Sequence, residues 1–361
     1  GLSGIGAACQ LSRKNPNNSF LILESREALG GTWSLFKYPG IRSDSDMYTF
    51  GYSFKTWDDP KSFADASSIL KYLNEATDEF KVRNHIKYQQ KAISYNFNTD
   101  EKLWSVTTVN TVTDAETTYR CKFIFNCSGY YNYTKGYTPE FKGRLDYEGE
   151  LIHPQKWPED FDCTNKKIVV IGSGATAVTL VPEMAKTAAH VTMLQRSPTY
   201  VITRPEEDKF SLVLQKYLPM KWAYQITRAK NVILGMLSYQ FARSQPELVK
   251  NYLVKMAAKQ LRSDEQAKHF SPDYKPWDQR LCLVPDGDLF KQIRSGNASV
   301  VTDTIQAVTE NGIQLKSGKT LEADIIVSAT GLTLNLLGDI QIEVDGKPFT
   351  ASQAMAYRGM W

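Results

Sequence analysis

Small residues near the middle of the chain form a pattern that could bind a phosphate group. An unbroken run rich in β-branched residues at 167–171 leads into Gly172-Ser173-Gly174-Ala175-Thr176-Ala177, and the residues after it have helical apolar periodicity to about residue 188. Glycines at such a turn let the backbone approach a pyrophosphate, and the start of the helix offers unpaired N–H donors and a partial positive charge. The last position is Ala177, which the GxGxxG/A pattern permits. With a second strand expected at 191–194, the pattern predicts a dinucleotide-binding βαβ unit.

The N-terminus repeats this pattern in part. Gly1 and Gly4 would be the second and third glycines, followed by a helix to about Arg13 and a strand at 20–23 that ends in Glu24. A strand and a first glycine would normally precede them, and the chain stops abruptly at Trp361. The sequence is therefore expected to be an internal fragment that lacks both termini.

The residue that follows each second strand separates the two sites. Glu24 lies 23 positions after Gly1, and Arg196 lies 22 positions after Gly174. A carboxylate there accepts hydrogen bonds from ribose hydroxyls, whereas a guanidinium, here next to Ser197, accommodates the 2′-phosphate of NADP. The contrast predicts FAD at the first site and NADPH at the second, although either residue alone could be a solvated strand end.

These motifs predict an α/β fold with two Rossmann-like dinucleotide-binding domains. The expected ranges are 1–145 for an FAD-binding domain without its first strand, 146–323 for an NADPH-binding domain, and 324–361 for the return to the FAD domain. A helical insertion is expected at about 208–265; its apolar face could be buried, line a substrate entrance or contact a membrane surface. Strands are expected at 323–328 and 123–128, each ending in small residues and glycine, where the backbone could approach a flavin, cross between domains or simply leave the sheet.

Composition narrows the functional class. With 42% hydrophobic and 23% charged residues, the 361-residue chain is typical of a soluble two-domain protein. A net charge of +4, interpreted as evenly spread, argues against nucleic acid as a partner. The five cysteines are an odd number without a CxxC pair, so no disulfide framework, zinc site or dithiol redox centre is expected, which favours a reducing cytoplasm. No apolar run long enough to cross a bilayer and no signal peptide is found.

Two further motifs resemble a known family. Gly30-Gly31-Thr32-Trp33, followed by Tyr38-Pro39-Gly40, is similar to the class B flavoprotein monooxygenases. Their Baeyer–Villiger branch has the signature FxGxxxHxxxW(P/D), and this sequence matches it at Tyr147, Gly149, His153, Trp157 and Pro158. The one departure is Tyr147 in place of Phe, which retains the aromatic ring.

The resemblance implies cofactors, reaction and roles. Gly31, Thr32, Trp33 and Asp44 would contact FAD, and the segment from Tyr147 to Trp157 would be a hinge that couples NADPH binding to domain movement. NADPH would reduce the flavin, O2 would add to it, and the resulting C4a-peroxyflavin would oxidise a ketone to an ester or lactone. Arg280 would stabilise the developing charge, held in position by Asp44. Without the resemblance, Arg280 would be a surface arginine and Asp44 a helix cap.

The sequence is also compatible with other functions. A heteroatom oxygenase acting on nitrogen or sulfur would share both nucleotide folds, and an inactive nucleotide-binding fragment would share part of them. A pyridine-nucleotide–disulfide reductase would need a redox cysteine pair, which the sequence lacks. The expected partners are O2 and a small hydrophobic ketone or sulfide. The sequence does not predict which ketone reacts, which carbon migrates, or the oligomeric state.

Overall fold

The structure is a computed structural model that describes residues 1–349 and residue 355. Residues 350–354 and 356–361, which belong to the predicted return segment 324–361, lie outside the described residues.

The described residues form mixed helices and strands. The helices are α1 (Leu2–Lys14), α2 (Thr32–Leu35), α3 (Met47–Phe50), α4 (Ala66–Glu79), α5 (Ala175–Met184), α6 (Lys209–Tyr217), α7 (Met220–Ser244), α8 (Pro246–Leu261), α9 (Asp264–Ala267) and α10 (Asp288–Arg294). The strands are β1 (Ile22–Leu23), β2 (Ile86–Lys87), β3 (Gln90–Asn98), β4 (Leu103–Asn110), β5 (Glu116–Cys121), β6 (Tyr131–Gly136), β7 (Glu150–Ile152), β8 (Lys167–Ile171), β9 (His190–Gln195), β10 (Tyr200–Arg204), β11 (Leu281–Pro285), β12 (Ala298–Thr302), β13 (Ile305–Thr309), β14 (Gly312–Leu315), β15 (Thr320–Glu322), β16 (Ile325–Ser328), β17 (Leu332–Leu334), β18 (Gln341–Val344) and β19 (Lys347–Pro348).

The chain divides into two compact units, which we call the first and second units. The first comprises residues 1–35, 69–134 and 333–361, and the second comprises residues 36–68 and 135–332. These bounds differ from the sequence-based ranges chiefly because residues 36–68 cluster with the second unit.

A parallel five-stranded sheet forms the centre of the second unit. Its strand order is β12-β9-β8-β16-β7, with all pairs parallel. Along β8, Ile168 and Val170 face a core built with α5 and α10, whereas Val169 and Ile171 face a core built with β13, β14 and β15. A strand buried on both faces reads as a continuous apolar run, which explains why this element is clear in the sequence.

A helical segment of the second unit follows β10. Asp208 caps α6 by accepting a hydrogen bond from the backbone N–H of Ser211, and Pro246 opens α8 at a position where its missing N–H costs no hydrogen bond. The helices α6, α7 and α8 occupy the range in which the helical insertion was predicted. No helix of the described residues is long and apolar enough to cross a membrane.

The first unit is built around α1 and an antiparallel-rich sheet. Ile5, Ala8 and Cys9 form the buried side of α1, and β1 pairs with β2 in parallel. A separate sheet has the order β19-β18-β3-β4-β5.

One predicted element of the first unit is wrong. Residues 123–128 do not form a strand: no strand of the described residues pairs with them, and Phe123 and Phe125 are exposed. β-Branched and aromatic residues favour extended backbone, but a strand also needs a neighbour that accepts its ladder hydrogen bonds.

Candidate functional site

The second glycine turn has the geometry of a phosphate-binding loop. Gly172 has φ +138°, and a β-carbon added there would lie 2.4 Å from the carbonyl oxygen of Ala329, so no other residue fits. Gly174 precedes α5, and no side chain caps that helix start. The first N–H groups of α5 therefore have no capping partner, which is the arrangement that an anionic pyrophosphate requires. This turn fits a bound dinucleotide.

Arg280 adds a cation to the same turn. Its Nη1 atom lies 3.9 Å from the position that a β-carbon of Gly174 would occupy. The Tyr274 hydroxyl donates a hydrogen bond to the carbonyl oxygen of Arg280 at 3.1 Å, and the Tyr200 hydroxyl donates to that of Tyr274 at 2.7 Å. Burial raises the pKa of Tyr200 to about 12, so its hydroxyl stays a donor at neutral pH. Two buried or half-buried tyrosines thus fix the backbone from which the guanidinium extends.

The same loop is attached to α7 on its other side. Arg243 forms an ion pair with Asp278, and the Tyr239 and Trp277 rings meet edge to face with centroids 5.7 Å apart. Both contacts lie within three residues of Arg280 along the chain. These two contacts therefore attach the loop to α7 just before Arg280.

Asp44 lies in the second unit with Arg280, but the two do not pair. Both side chains are exposed, and no ion pair joins them among the described residues. Both influence the Cys282 thiol: burial raises its pKa to about 11, the Arg280 charge lowers it and the Asp44 charge raises it. The thiol is therefore neutral at pH 7. The helix cap expected near Asp44 is provided by Asp46, which accepts a hydrogen bond from the Thr49 N–H.

Tyr38 connects the Tyr38-Pro39-Gly40 motif to the glycine turn. Its ring packs against the core of the second unit. Burial raises the pKa of its hydroxyl, and the Thr176 side chain acts in the opposite direction as a hydrogen-bonding neighbour. Gly40 has φ +73°, and an added β-carbon would lie 3.2 Å from Cβ of Glu183 on α5. The motif is therefore fitted closely to the helix that begins at the turn.

The end of β9 presents a second cation. Arg196 and Ser197 are exposed, and the Arg196 guanidinium has no ion-pair or hydrogen-bond partner among the described side chains. The preceding Gln195 is buried and donates hydrogen bonds to the His269 carbonyl at 2.7 Å and the Thr302 hydroxyl at 2.8 Å. The strand end is thus rigid while Arg196 remains available to an anion.

The first unit brings together the predicted residues of the first glycine site. Gly31 has φ +58°, and a β-carbon added there would lie 2.9 Å from Cα of Gly1. A Glu24 carboxylate oxygen lies 3.6 Å from the Gly1 nitrogen, and no side chain caps the start of α1. A β-carbon added at Gly4 would meet only Cys127, at 3.5 Å. The close backbones and uncapped helix fit a second dinucleotide.

Arg26 holds the adjacent loop and was not predicted from the sequence. Its guanidinium donates hydrogen bonds to the Gly31 carbonyl at 3.1 Å and to the hydroxyl and carbonyl of Ser34 at 2.9 and 3.1 Å. The Thr32 hydroxyl pairs with that of Tyr131, and Trp33 is half-buried in α2. The only sequence signal for Arg26 is a cation between Glu24 and the glycine pair, which is too common to select it.

The signature residues contact the backbone just before β16 and the segment after it. The Tyr147 hydroxyl donates to the Ala323 carbonyl at 3.0 Å, and a β-carbon at Gly149 would lie 2.4 Å from that hydroxyl oxygen. Nε2 of His153 lies 3.1 Å from the Gly331 carbonyl. The Trp157 ring packs against Phe161 at 4.7 Å. These contacts make the segment a structural connection and include no reacting group.

His153 has one protonation state that satisfies both ring nitrogens. Nδ1 accepts a hydrogen bond from the Gln155 N–H at 3.1 Å, so Nε2 must carry the proton that it donates to Gly331. Burial lowers the pKa of the imidazole, partly offset by its backbone hydrogen bonds. The neutral form is therefore favoured.

Comparison with known proteins agrees with this architecture. A family model described as flavin-binding monooxygenase-like matches residues 24–338. The chain is 50% identical over 361 residues to the probable FAD-binding monooxygenase AlmA of Acinetobacter baylyi. The match covers all of this chain and 72% of that protein. It is similar to the structure of cyclohexanone monooxygenase with bound ε-caprolactone, with a TM-score of 0.77, 23% identity and coverage of 96% of this chain and 75% of that one. It is also similar to the OTEMO complex with FAD and NADP, with a TM-score of 0.75, 22% identity and coverage of 96% and 73%.

These comparisons confirm two of the predictions made from the sequence. The structural neighbours share the α/β fold with two Rossmann-like dinucleotide-binding domains. The matched family confirms the predicted class of enzyme, a flavoprotein monooxygenase. The chain belongs to the flavin-binding monooxygenase-like family.

Proposed function

We propose that the protein is an FAD- and NADPH-dependent monooxygenase that oxidises a small hydrophobic ketone to an ester or lactone. The balanced reaction is ketone, O2, NADPH and H⁺ to ester, water and NADP⁺. The observation that carries the proposal is the Arg280 guanidinium at the second glycine turn, on a backbone held by the hydrogen bond from Tyr274. The likeness in fold to a cyclohexanone monooxygenase that binds a lactone, and to a complex with FAD and NADP, supports it.

The two glycine sites would hold the two cofactors. The backbone at Gly172 and Gly174, together with Ser173 and the N–H groups of 175–177, would bind the NADPH pyrophosphate, while Arg196 and Ser197 would bind its 2′-phosphate. Gly1, Gly4, Glu24 and the residues from Gly31 to Trp33 would bind FAD, with Glu24 accepting hydrogen bonds from the ribose. When bound, NADPH supplies a hydride and the flavin activates O2 and delivers one oxygen atom.

Arg280 would stabilise the charge that develops on the oxygens during insertion. A guanidinium stays protonated, donates several hydrogen bonds and, when its backbone is already fixed, needs little reorganisation in the transition state. The hydrogen bond from Tyr274 supplies that fixation. Asp44 is the proposed acid that orients Arg280, an interaction that would have to form when the cofactors bind, since the two side chains are not paired here.

The signature segment would transmit movement and would not react. His153 joins the segment to Gly331, one residue before the second unit ends, and its neutral imidazole is held by hydrogen bonds at both ring nitrogens. A neutral histidine whose two ring nitrogens both form hydrogen bonds suits a structural connection better than proton transfer. We therefore assign it a positioning role.

The test is the identity of the product. The protein from its complete reading frame, loaded with FAD, is supplied with NADPH, O2, linear, cyclic and aromatic ketones, a thioether and a tertiary amine. Esters or lactones identified by mass and structure would support the proposal. Sulfoxide or N-oxide alone, with every ketone unchanged, would replace it with heteroatom oxygenation, and a protein that binds no FAD would contradict both.

A further inference from the structure

The middle of α7 is exposed on all sides although it is strongly apolar. Every residue from 232 to 241 is exposed. An α-helix that packs along one face buries a residue at least every three or four positions, so a stretch of this length in which every residue is exposed has no buried face. The Tyr239 ring does contact Trp277, but both rings stay exposed. Seven of its residues are large and apolar: Val232, Ile233, Leu234, Met236, Leu237, Tyr239 and Phe241. A helix that is apolar all round is normally buried, so this stretch needs an apolar surface to cover it.

The rest of the helix holds this stretch firmly outward. Near its start, Tyr224 is buried and its hydroxyl donates to the Tyr52 carbonyl at 2.8 Å. One turn later, Nη1 of Arg228 donates to the Gly51 carbonyl at 2.9 Å. At the other end Arg243 pairs with Asp278. The exposed stretch is therefore the middle of a helix that is anchored at both ends.

The surrounding helices are strongly basic. Residues 209–261 contain nine lysines and arginines and a single acidic residue, Glu247, for a net charge of +8. The whole chain carries +4, so the rest of it is net negative. The exposed basic residues of these helices include Lys216, Lys221, Lys255 and Lys259. The charge is thus concentrated on the helices that also expose apolar residues, and the expectation of an even distribution is wrong.

This combination selects among the surfaces that could cover α7. A second copy of the same helices would bring two basic groups together, each still +6 after Lys230 pairs with Asp208 and Arg243 with Asp278, which opposes association. A nucleic acid would satisfy the charge but not seven large apolar side chains. An anionic bilayer satisfies both, because acyl chains accept the apolar residues while phosphate headgroups pair with the lysines. Exposed apolar residues continue on the neighbouring helices at Tyr217, Trp222 and Tyr252.

We propose that residues 232–241 of α7, flanked by the lysines of α6, α7 and α8, bind the surface of an anionic lipid bilayer. The helix would lie in the plane of the interface with its apolar side chains below the headgroups. The proposal concerns the surface alone and holds whichever substrate the enzyme oxidises.

Vesicle binding tests this proposal with matched variants. The purified protein from its complete reading frame is sedimented with vesicles of phosphatidylcholine alone and of phosphatidylcholine with 30% phosphatidylglycerol, a fraction of about one third chosen to mimic an anionic leaflet. Leu234→Ser/Leu237→Ser removes apolar contacts, and Lys216→Glu/Lys221→Glu reverses charge. The controls are Leu145→Ser, since Leu145 is 96% exposed on another part of the second unit, and Lys316→Glu/Lys319→Glu in the β14–β15 turn.

We expect the protein to bind the anionic vesicles and to bind them more weakly when salt is raised to about 0.5 M. At that ionic strength charges are screened within a few ångströms. Each α6–α7 variant should weaken the partition by about tenfold or more, while both controls should bind as the parent does. Circular dichroism checks that the variants remain folded. The proposal would be overturned by absence of sedimentation with anionic vesicles, by equal losses in the controls, or by concentration-dependent dimers that only the Leu234→Ser/Leu237→Ser variant abolishes.

Discussion

The two glycine sites follow the same sequence pattern but are held by different parts of the structure. The turn at Gly172 follows a strand buried on both faces of a five-stranded parallel sheet, and it touches the backbone of β16's continuation at Ala329. The site at Gly1 and Gly31 lies beside a two-stranded pair, and Arg26 holds its loop through hydrogen bonds to the backbone and side chain of residues 31–34. Core packing supports the second turn, whereas one guanidinium supports the first.

Glu24 and Arg196, which follow the second strand of the first and second sites, also differ in whether they already have a partner. The Glu24 carboxylate already has a partner within its site, the Arg26 N–H, which donates a hydrogen bond to it at 3.1 Å. Arg196 has none among the described side chains. The acid is thus part of the local structure of its site, while the base is held available for an incoming anion. Substitutions should therefore affect folding at one position and ligand selection at another.

The largest effect is expected at Gly172. Gly172→Ala places a β-carbon against the Ala329 carbonyl at positive φ, and should lower the free energy of unfolding by about 3 kcal/mol or more. Urea denaturation measures it. The matched control is Gly296→Ala, where φ is +84° but no atom lies near, so that only the backbone strain of about 1 kcal/mol remains. If the two variants lost the same free energy of unfolding, the close approach to Ala329 could not be the reason that residue 172 is glycine.

Replacing Arg280 tests the chemistry at the second site. Arg280→Ala should lower the rate of ketone oxygenation by about 10²–10³, as for loss of one oxyanion donor. Stopped-flow measurement separates flavin reduction from product formation. Lys275→Ala removes an exposed cation from the same loop and should leave both rates unchanged. Oxygenation near the parent rate in Arg280→Ala would show that the guanidinium serves another purpose.

Arg196 should control the choice of nicotinamide cofactor. Arg196→Ala removes the cation available to a 2′-phosphate, so KM for NADPH should rise by about tenfold or more while KM for NADH stays constant. Steady-state kinetics with both cofactors measure the ratio. A parallel rise for NADH would indicate that Arg196 contacts a part common to both.

Arg26 should affect the first site alone. Arg26→Ala removes hydrogen bonds to Gly31 and Ser34, and the dissociation constant for FAD should increase by about tenfold, the equivalent of one or two neutral hydrogen bonds. Titration of the apoprotein by flavin fluorescence measures it. Arg13→Ala is the control, since Arg13 is an exposed arginine of α1 whose contacts include the Gln10 side chain and the Phe80 ring. Weaker NADPH binding of the same size would mean that the two sites are not supported independently.

The smallest effect concerns pH and His153. Its pKa is lowered by burial, so the folded state binds a proton less readily than the unfolded chain. Its contribution to stability is complete above the ordinary histidine pKa of about 6.5 and is lost as the pH falls through the lowered folded-state value. The thermal midpoint of His153→Asn should therefore lie below that of the parent at pH 7.5, and this difference should be smaller at pH 5. A difference that stays constant would show that the pKa of His153 is the same in the folded and unfolded states.

The sequence predicted the second unit better than the first for a physical reason. Residues 167–177 contain a complete strand, turn and helix start, so local pattern and global fold agree there. The strand expected at 123–128 failed because propensity cannot supply a pairing partner. Arg26 and Tyr274 were missed because their roles depend on which carbonyls the fold brings near them. The basic helices were missed because a net charge summed over the chain hides opposite charges in different regions.

The central claim is insertion of one oxygen atom from O2 into a ketone. The most direct measurement supplies the FAD-loaded protein with ¹⁸O2, NADPH and a cyclic ketone, and weighs the organic product and the water. The account predicts a lactone that carries one ¹⁸O atom, with the second atom in water and one NADPH consumed for each lactone formed. Unlabelled lactone, or NADPH consumed to give hydrogen peroxide with every ketone unchanged, would contradict it.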